Sequence, residues 1–169
     1  LLHLVPVLFT LVGNGMTGDW IAAKAVTGYE KGKPQMLAVQ TIRQKDKNEK
    51  LLFLALPAAR NFRDMMVQAA KDGFHLKAIS AFRTHREQRS LKRRKGELAA
   101  LPGWSNHQQG LSVDIANTTR LIKGVKYRTI LYWWLVRNAK RYGFYNDVAD
   151  EPWHWTFKGM RDRRIKEYG

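Results

Sequence analysis

The sequence contains no cysteine. Neither a disulfide framework nor a thiolate metal site can be built from it, and the absence suits an oxidising compartment. Acidic residues are scarce: 14 Asp and Glu stand against 30 Lys and Arg, for a formal net charge of +16. A field of that sign attracts polyanions such as nucleic acid, anionic lipid or acidic cell-wall polymers, and charge alone does not choose among them. Long apolar runs are also missing. The candidate, Leu1–Val12, contains His3 and Pro6 and falls short of the roughly 20 residues of a transmembrane helix. It carries neither the basic start nor the small-residue cleavage site of a signal peptide, and reads instead as a core strand or docking segment. The chain shows no internal repeat and no low-complexity segment.

What is present is enough for a core. Apolar residues make up 44% of the 169, with six Trp, six Tyr and seven Phe, a composition that argues against disorder. The length suits one domain over residues 1–169. We divide it into N-terminal strands and loops (1–56), a catalytic core (57–159) and a basic tail (160–169). Gly13–Gly15 reads as a turn and Gly28–Pro34 as a loop, while Trp20–Val26 reads equally as helix or strand. Met36–Ile42 and Leu51–Leu56 form a hairpin around the charged turn Arg43–Lys50. Pro57 opens a helix whose Phe62, Met65, Met66 and Ala69 recur at helical spacing, with Gly73 as its stop. Leu76–Ser80 is a buried strand, and Arg83–Lys95 begins as a polar helix. Gly110–Ala116 is a strand, Tyr127–Tyr142 the strongest helix, and Trp153–Phe157 a final strand. Helices and short strands mix without regular alternation, which favours α+β with a small antiparallel sheet and flanking helices.

Two segments carry chemistry: Trp104–Asp114, with His107 and Asp114, and Glu151–Trp155, with His154. Singly, each residue has an ordinary explanation as a packed or exposed side chain. Together, two imidazoles and a carboxylate can fill three corners of a zinc tetrahedron and leave the fourth for water. Asp114 lies in the apolar stretch Leu111–Ala116, where an unpaired carboxylate is costly to bury and a cation offsets that cost. Glu151 is then a spare carboxylate able to take the water's proton. Two His and one carboxylate also describe the facial triad of non-haem iron oxygenases. Such a site needs no additional base, so Glu151 favours a hydrolase, although spacing alone does not decide. His3, His75 and His85 lack any comparable setting.

The pattern Ser105-x-His107-x-x-Gly110-Leu-x-x-Asp114, followed by Glu151-Pro-Trp-His154, resembles the VanY-type D,D-carboxypeptidases, members of the LAS group of peptidoglycan zinc peptidases. Upstream, Ser80-Ala-Phe-Arg83-Thr-x-x-x-Gln88 is similar to that family's Ser-Gly-Tyr-Arg-Ser-x-x-x-Gln segment. The likeness runs from about Pro57 to Gly159. It implies a hedgehog/D,D-peptidase fold, one zinc held by His107, Asp114 and His154, and Glu151 as general base. Arg83 would stabilise the oxyanion or hold a substrate carboxylate, a task suited to its fixed fork of donors. Ser105, Gln88 and Trp153 would contact substrate. Ala81 and Phe82 depart from the family's Gly and Tyr, and Ser112 stands where a small apolar residue is usual. The segment from Phe144 to Glu151 is short, which implies a reduced pocket roof.

The resemblance implies removal of the terminal D-Ala from peptidoglycan stem peptides. The same chemistry also serves an endopeptidase cutting a cross-link or an L-Ala–D-Glu bond, as in a phage lysin or antibacterial effector. A non-catalytic zinc module is disfavoured by Glu151 beside all three ligands. A nucleic-acid partner is suggested only by charge and has no zinc finger or RNA-recognition motif behind it. The expected place of action is the periplasmic or extracellular cell wall, where anionic wall polymers suit the basic surface.

Overall fold

The structure is a computed structural model that describes residues 22–159. Leu1–Val12, the Gly13–Gly15 turn and the basic stretch from Arg161 lie outside the described residues. The fold is α+β, built on two small antiparallel sheets and a separate two-stranded ribbon.

The first sheet comprises β1 (Lys24–Glu30), β2 (Lys33–Lys45) and β3 (Leu51–Ala55), in that order. The expected loop over Gly28–Pro34 shrinks to two residues. Pairing continues to Glu30 opposite Lys33, leaving Lys31 and Gly32 as a tight turn with φ of 48° and 78°, the positive values a primed hairpin turn demands. Gly28 is in mid-strand for a different reason. A Cβ there would sit 2.6 Å from the Gln108 carbonyl oxygen, so β1 passes directly over the turn that carries His107. The undecided Trp20–Val26 segment enters β1 from Lys24 onward. The charged turn is also shorter than expected. β2 runs on to Lys45 through a register shift at Arg43 (φ 59°), and the Asp46 carboxylate closes the turn by accepting from the Asn48 and Lys50 amides.

Helix α1 (Leu56–Lys71) has proline in its first turn and buries Ala58, Ala59, Phe62, Met65 and Ala69. The second sheet has the order β4 (Ala78–Ser80), β5 (Ser112–Ile115), β9 (His154–Phe157), β8 (Phe144–Tyr145). Its register sets Asp114 opposite both Ser80 and His154, and Ser112 opposite Thr156. One core joins the sheets: Leu52 and Leu54 from β3, Val113 and Ile115 from β5, Trp155 from β9, Phe62 and Met65 from α1, and Phe144, which meets the Phe62 ring edge-on at 5.7 Å.

Helix α2 (His85–Lys95) starts with a capping box: Thr84 Oγ1 accepts from the Glu87 amide, and the Glu87 carboxylate accepts from the Thr84 amide. Such a cap contributes about 1 kcal/mol. Helix α3 (Ile130–Asn138) continues as a 3-10 turn to Tyr142 and stops at Gly143, φ 77°. It begins three residues later than the helical spacing predicts. Residues expected in its first turn belong to a hairpin that sequence reading missed, β6 (Thr119–Ile122) and β7 (Val125–Arg128), closed by Lys123 and Gly124 at positive φ. Thr129 ends the ribbon and caps the helix, its hydroxyl accepting from the Tyr132 amide. No helix among the described residues is long and apolar enough to cross a membrane.

Candidate active site

His107 lies in a 3-10 turn, Asn106–Gln109, between β4 and β5. Ser105 caps that turn by accepting from the His107 amide, and Gly110 ends it with φ 68°. A Cβ on Gly110 would lie 2.8 Å from the Ala55 amide nitrogen, the group that donates to its own carbonyl. Glycine therefore lets the turn press against β3. The Arg83 amide donates to the His107 carbonyl, tying the upstream motif to the same place.

Three donor atoms converge. His107 Nε2 is 3.3 Å from His154 Nδ1, and Asp114 Oδ1 is 3.3 Å and 3.1 Å from those two nitrogens. Their far sides decide what they present. His107 Nδ1 lies 2.7 Å from the Ala81 carbonyl oxygen; a carbonyl only accepts, so Nδ1 carries the hydrogen and Nε2 keeps its lone pair. His154 Nε2 lies 3.2 Å from Thr156 Oγ1, itself 2.9 Å from Ser112 Oγ. With Thr156 accepting from Nε2–H and donating to Ser112, Nδ1 also keeps its lone pair. Two ring nitrogens and a carboxylate oxygen then point at one another, an arrangement that favours a cation among them. Tetrahedral zinc with bonds of about 2.0–2.1 Å separates neighbouring ligand atoms by roughly 3.3–3.4 Å, within a few tenths of an ångström of the spacings here. Among the described residues this is the group of three or more His, Asp or Glu placed to hold a metal.

Both histidines are buried, His107 at 4% and His154 at 6% exposure. Burial pushes the Asp114 carboxyl up, but positive charge at the His107 and His154 positions, with the hydrogen bonds they make to it, more than offsets this and holds it well below the usual carboxylate range; with both rings neutral, a bound cation would supply that charge. Glu151 stands beside the cluster and outside it, its Oε2 3.9 Å from His154 Nδ1 and its side chain 35% exposed. A turn sets that position. The His154 amide donates to the Glu151 carbonyl, and the Asn146 side-chain amide donates to the Glu151 and His154 carbonyls at 2.8 and 2.7 Å. Asn146 clamps both ends of the Glu151–His154 segment, a role with no signal in the sequence because its donors reach only main chain.

Arg83 approaches from the β4 side. Nη2 donates to Ser80 Oγ and lies 4.0 Å from Asp114 Oδ2, while Nη1 donates to Gln88 Oε1 at 2.7 Å. Burial lowers its pKa, with the Asp114, Glu87 and Glu151 carboxylates acting against that shift; guanidinium remains charged regardless. Gln88 and Ser105, expected as substrate contacts, are engaged inside the protein. Gln88 is 1% exposed, and its amide bridges Arg83 to the Ala100 carbonyl. Ser105 is buried as the cap of the His107 turn. Trp153 is half-buried beside the site, its carbonyl accepting from the Ile115 amide and its ring facing the Lys126 ammonium at 5.9 Å. Ser112, a departure by sequence, is fully buried as the far end of the Thr156 relay.

Comparison with known proteins then decides the family. Residues 52–160 match the sequence profile of VanY, D-alanyl-D-alanine carboxypeptidase. The chain belongs to that family. A D-alanyl-D-alanine carboxypeptidase of Enterococcus faecium is 29% identical over 122 residues, covering 64% of this chain and 39% of that protein. The chain spans less than half the length of the curated relatives it matches. Among solved structures, the vancomycin-resistance D,D-pentapeptidase VanY from a VanB-type cassette, solved with Zn(II), aligns with a TM-score of 0.53 and 25% identity over 69% of this chain and 78% of that one. The LdcB LD-carboxypeptidase, whose structure addresses peptidoglycan recognition, aligns with a TM-score of 0.58 and 26% identity over 75% of this chain and 71% of that one.

Proposed function

We propose that this VanY-family chain is a zinc-dependent D,D-carboxypeptidase that removes the terminal D-Ala from peptidoglycan stem peptides. The observation that carries the reading is the convergence of His107 Nε2, Asp114 Oδ1 and His154 Nδ1 at tetrahedral spacing, with the Glu151 carboxylate adjacent and unengaged by the cluster. Those three atoms would hold the metal. When bound, zinc supplies Lewis acidity and lowers the pKa of a water in its open position toward about 7.

The chain's own residues do the rest. Glu151 Oε2 takes a proton from the attacking water and returns it to the leaving amine. The Arg83 guanidinium is held in one orientation by Gln88 and Ser80, and its charge faces the substrate's terminal carboxylate or the developing oxyanion. Ala81 and Thr156 keep the imidazoles turned so that the ligating nitrogens stay unprotonated. Asn146 fixes the distance between base and ligand by holding their shared turn. The place of action is the cell wall, and the basic surface suits its anionic polymers.

The deciding experiment supplies zinc-loaded protein with a pentapeptide stem and with a cross-linked dimer, and weighs the products. Loss of one D-Ala from the pentapeptide supports the proposal. Scission of the dimer alone replaces it with an endopeptidase, and an intact pair of substrates contradicts it.

A further inference from the structure

The hairpin β6–β7 and the outward side of α3 form a surface that the catalytic account does not use. The ribbon is a sheet of its own, and every residue from Arg120 to Tyr127 is exposed. A two-stranded hairpin is marginal in water unless something covers one of its faces. Its two faces differ. Lys126 lies over the Trp153 ring and Arg128 over the Tyr132 ring, at 5.9 and 5.0 Å, so the cations of this face reach back to the body, while Leu121 beside them is 68% exposed. Register puts Arg120 opposite Tyr127 and Ile122 opposite Val125. Cross-strand pairs share a face and alternate positions oppose, so these four side chains share the other face, where Ile122 is 44%, Tyr127 51% and Val125 53% exposed.

Helix α3 follows the hairpin directly in the chain. Thr129 joins the two elements, its amide donating to the Thr118 carbonyl and its hydroxyl to the Asn117 carbonyl. Leu131, Trp134 and Leu135 face the core, whereas Ile130 is 77% exposed, Trp133 50% and Val136 37%. These three recur at helical spacing on the outward side. The charge is equally one-sided. From Ile115 to Asn146 there is no Asp or Glu, while Arg120, Lys123, Lys126, Arg128, Arg137, Lys140 and Arg141 are all basic.

We infer that this face docks on an anionic lipid leaflet, with Ile122, Val125, Tyr127, Ile130 and Trp133 entering the headgroup boundary and the surrounding cations meeting acidic headgroups. Exposed apolar side chains on a stretch that carries seven cations and no acid have that chemistry, and Tyr and Trp favour the membrane–water boundary. A purely hydrophilic polyanion engages the cations and leaves the apolar side chains in water. A second copy of the chain sets like charges against each other. The inference goes beyond the peptidase reading and does not need it, because docking requires neither metal nor turnover.

The test is co-sedimentation of the purified full chain with vesicles of phosphatidylglycerol and phosphatidylcholine in equal parts, against vesicles of phosphatidylcholine alone. The chain is expected to sediment with the anionic vesicles and stay in solution with the neutral ones. Ile122→Ser with Val125→Ser should weaken binding by about tenfold or more through lost apolar burial. Arg120→Gln and Lys123→Gln should each weaken it by about fivefold and flatten its salt dependence. All these variants should keep wild-type zinc content and wild-type hydrolysis of a soluble peptide, which separates a docking defect from misfolding or from failure of the peptidase reading. Absence of sedimentation with anionic vesicles overturns the inference, including the case in which isolated wall polymer is still bound. So does undiminished vesicle binding by the Ile122/Val125 double variant. A wild-type dimer in sedimentation velocity that this double variant dissociates assigns the face to a second copy and equally overturns it.

Discussion

His107 and His154 face each other across 3.3 Å, yet the two segments that present them are built differently. In the Ser105–Asp114 segment the His107 ring is anchored by main chain. The Ala81 carbonyl holds the His107 ring, the Arg83 amide holds the His107 carbonyl, and Gly28 and Gly110 bring two strands against the turn. In the Glu151–Thr156 segment the His154 ring is anchored by side chains, Thr156 and Ser112, and the Asn146 side chain adds to the main-chain bonds of the turn. A ligand anchored by backbone tolerates substitution around it, whereas one anchored by hydroxyls and an amide is tunable and vulnerable. The second segment also carries Glu151, the group proposed to move a proton.

Glu151→Gln is the change with the largest expected effect on that segment alone. It keeps the size and the turn but cannot accept a proton, so hydrolysis of a D-Ala-D-Ala-terminated peptide should fall by a factor on the order of 10²–10⁴ while zinc content stays at the wild-type level. Normal hydrolysis would remove Glu151 as the base, and loss of zinc would make it a ligand.

Thr156→Val removes the hydroxyl that orients His154 and leaves the ring in place. Zinc affinity, measured by competition with a chelator, should drop by about 10–100-fold, and Thr156→Ser should recover most of it. For His107 no side-chain substitution removes the equivalent anchor, which is the asymmetry in its most direct form. Equal affinity in Thr156→Val and wild type would erase it.

Arg83→Lys tests the side chain that reaches the site from beyond β4, outside both segments. Lysine keeps the charge but cannot bond Gln88 and Ser80 as a planar fork, so turnover should fall by up to roughly 10²-fold through misplacement. Zinc content should not change. Wild-type kinetics would reduce Arg83 to a packing residue.

The sequence carried the chemistry of the site further than its architecture. His107, Asp114, Glu151 and His154 stand out only together, as two imidazoles and two carboxylates that complete a family pattern. What joins them is strand register, with Asp114 opposite His154 and Ser112 opposite Thr156, and register depends on the partner strand, so no single segment displays it. Ser112 was visible as an oddity whose cause, a hydroxyl pair across two strands, appears only in the fold. Asn146 and the Ala81 carbonyl act on or through main chain and leave no residue pattern. The β6–β7 hairpin was missed because Tyr127 and Arg128 of β7 run directly into the helical spacing of α3, which drew them into the expected helix. The Gly28–Pro34 loop erred the other way: Gly28 is needed for close approach, not for a turn.

The central claim is that three side chains from two differently anchored segments hold one zinc ion. Elemental analysis of the purified protein tests it most directly, beside a variant carrying His107→Ala, Asp114→Ala and His154→Ala. The account predicts one zinc per wild-type chain and none in the triple variant with its fold intact. A wild-type chain without transition metal, or a triple variant that retains full occupancy, would contradict it.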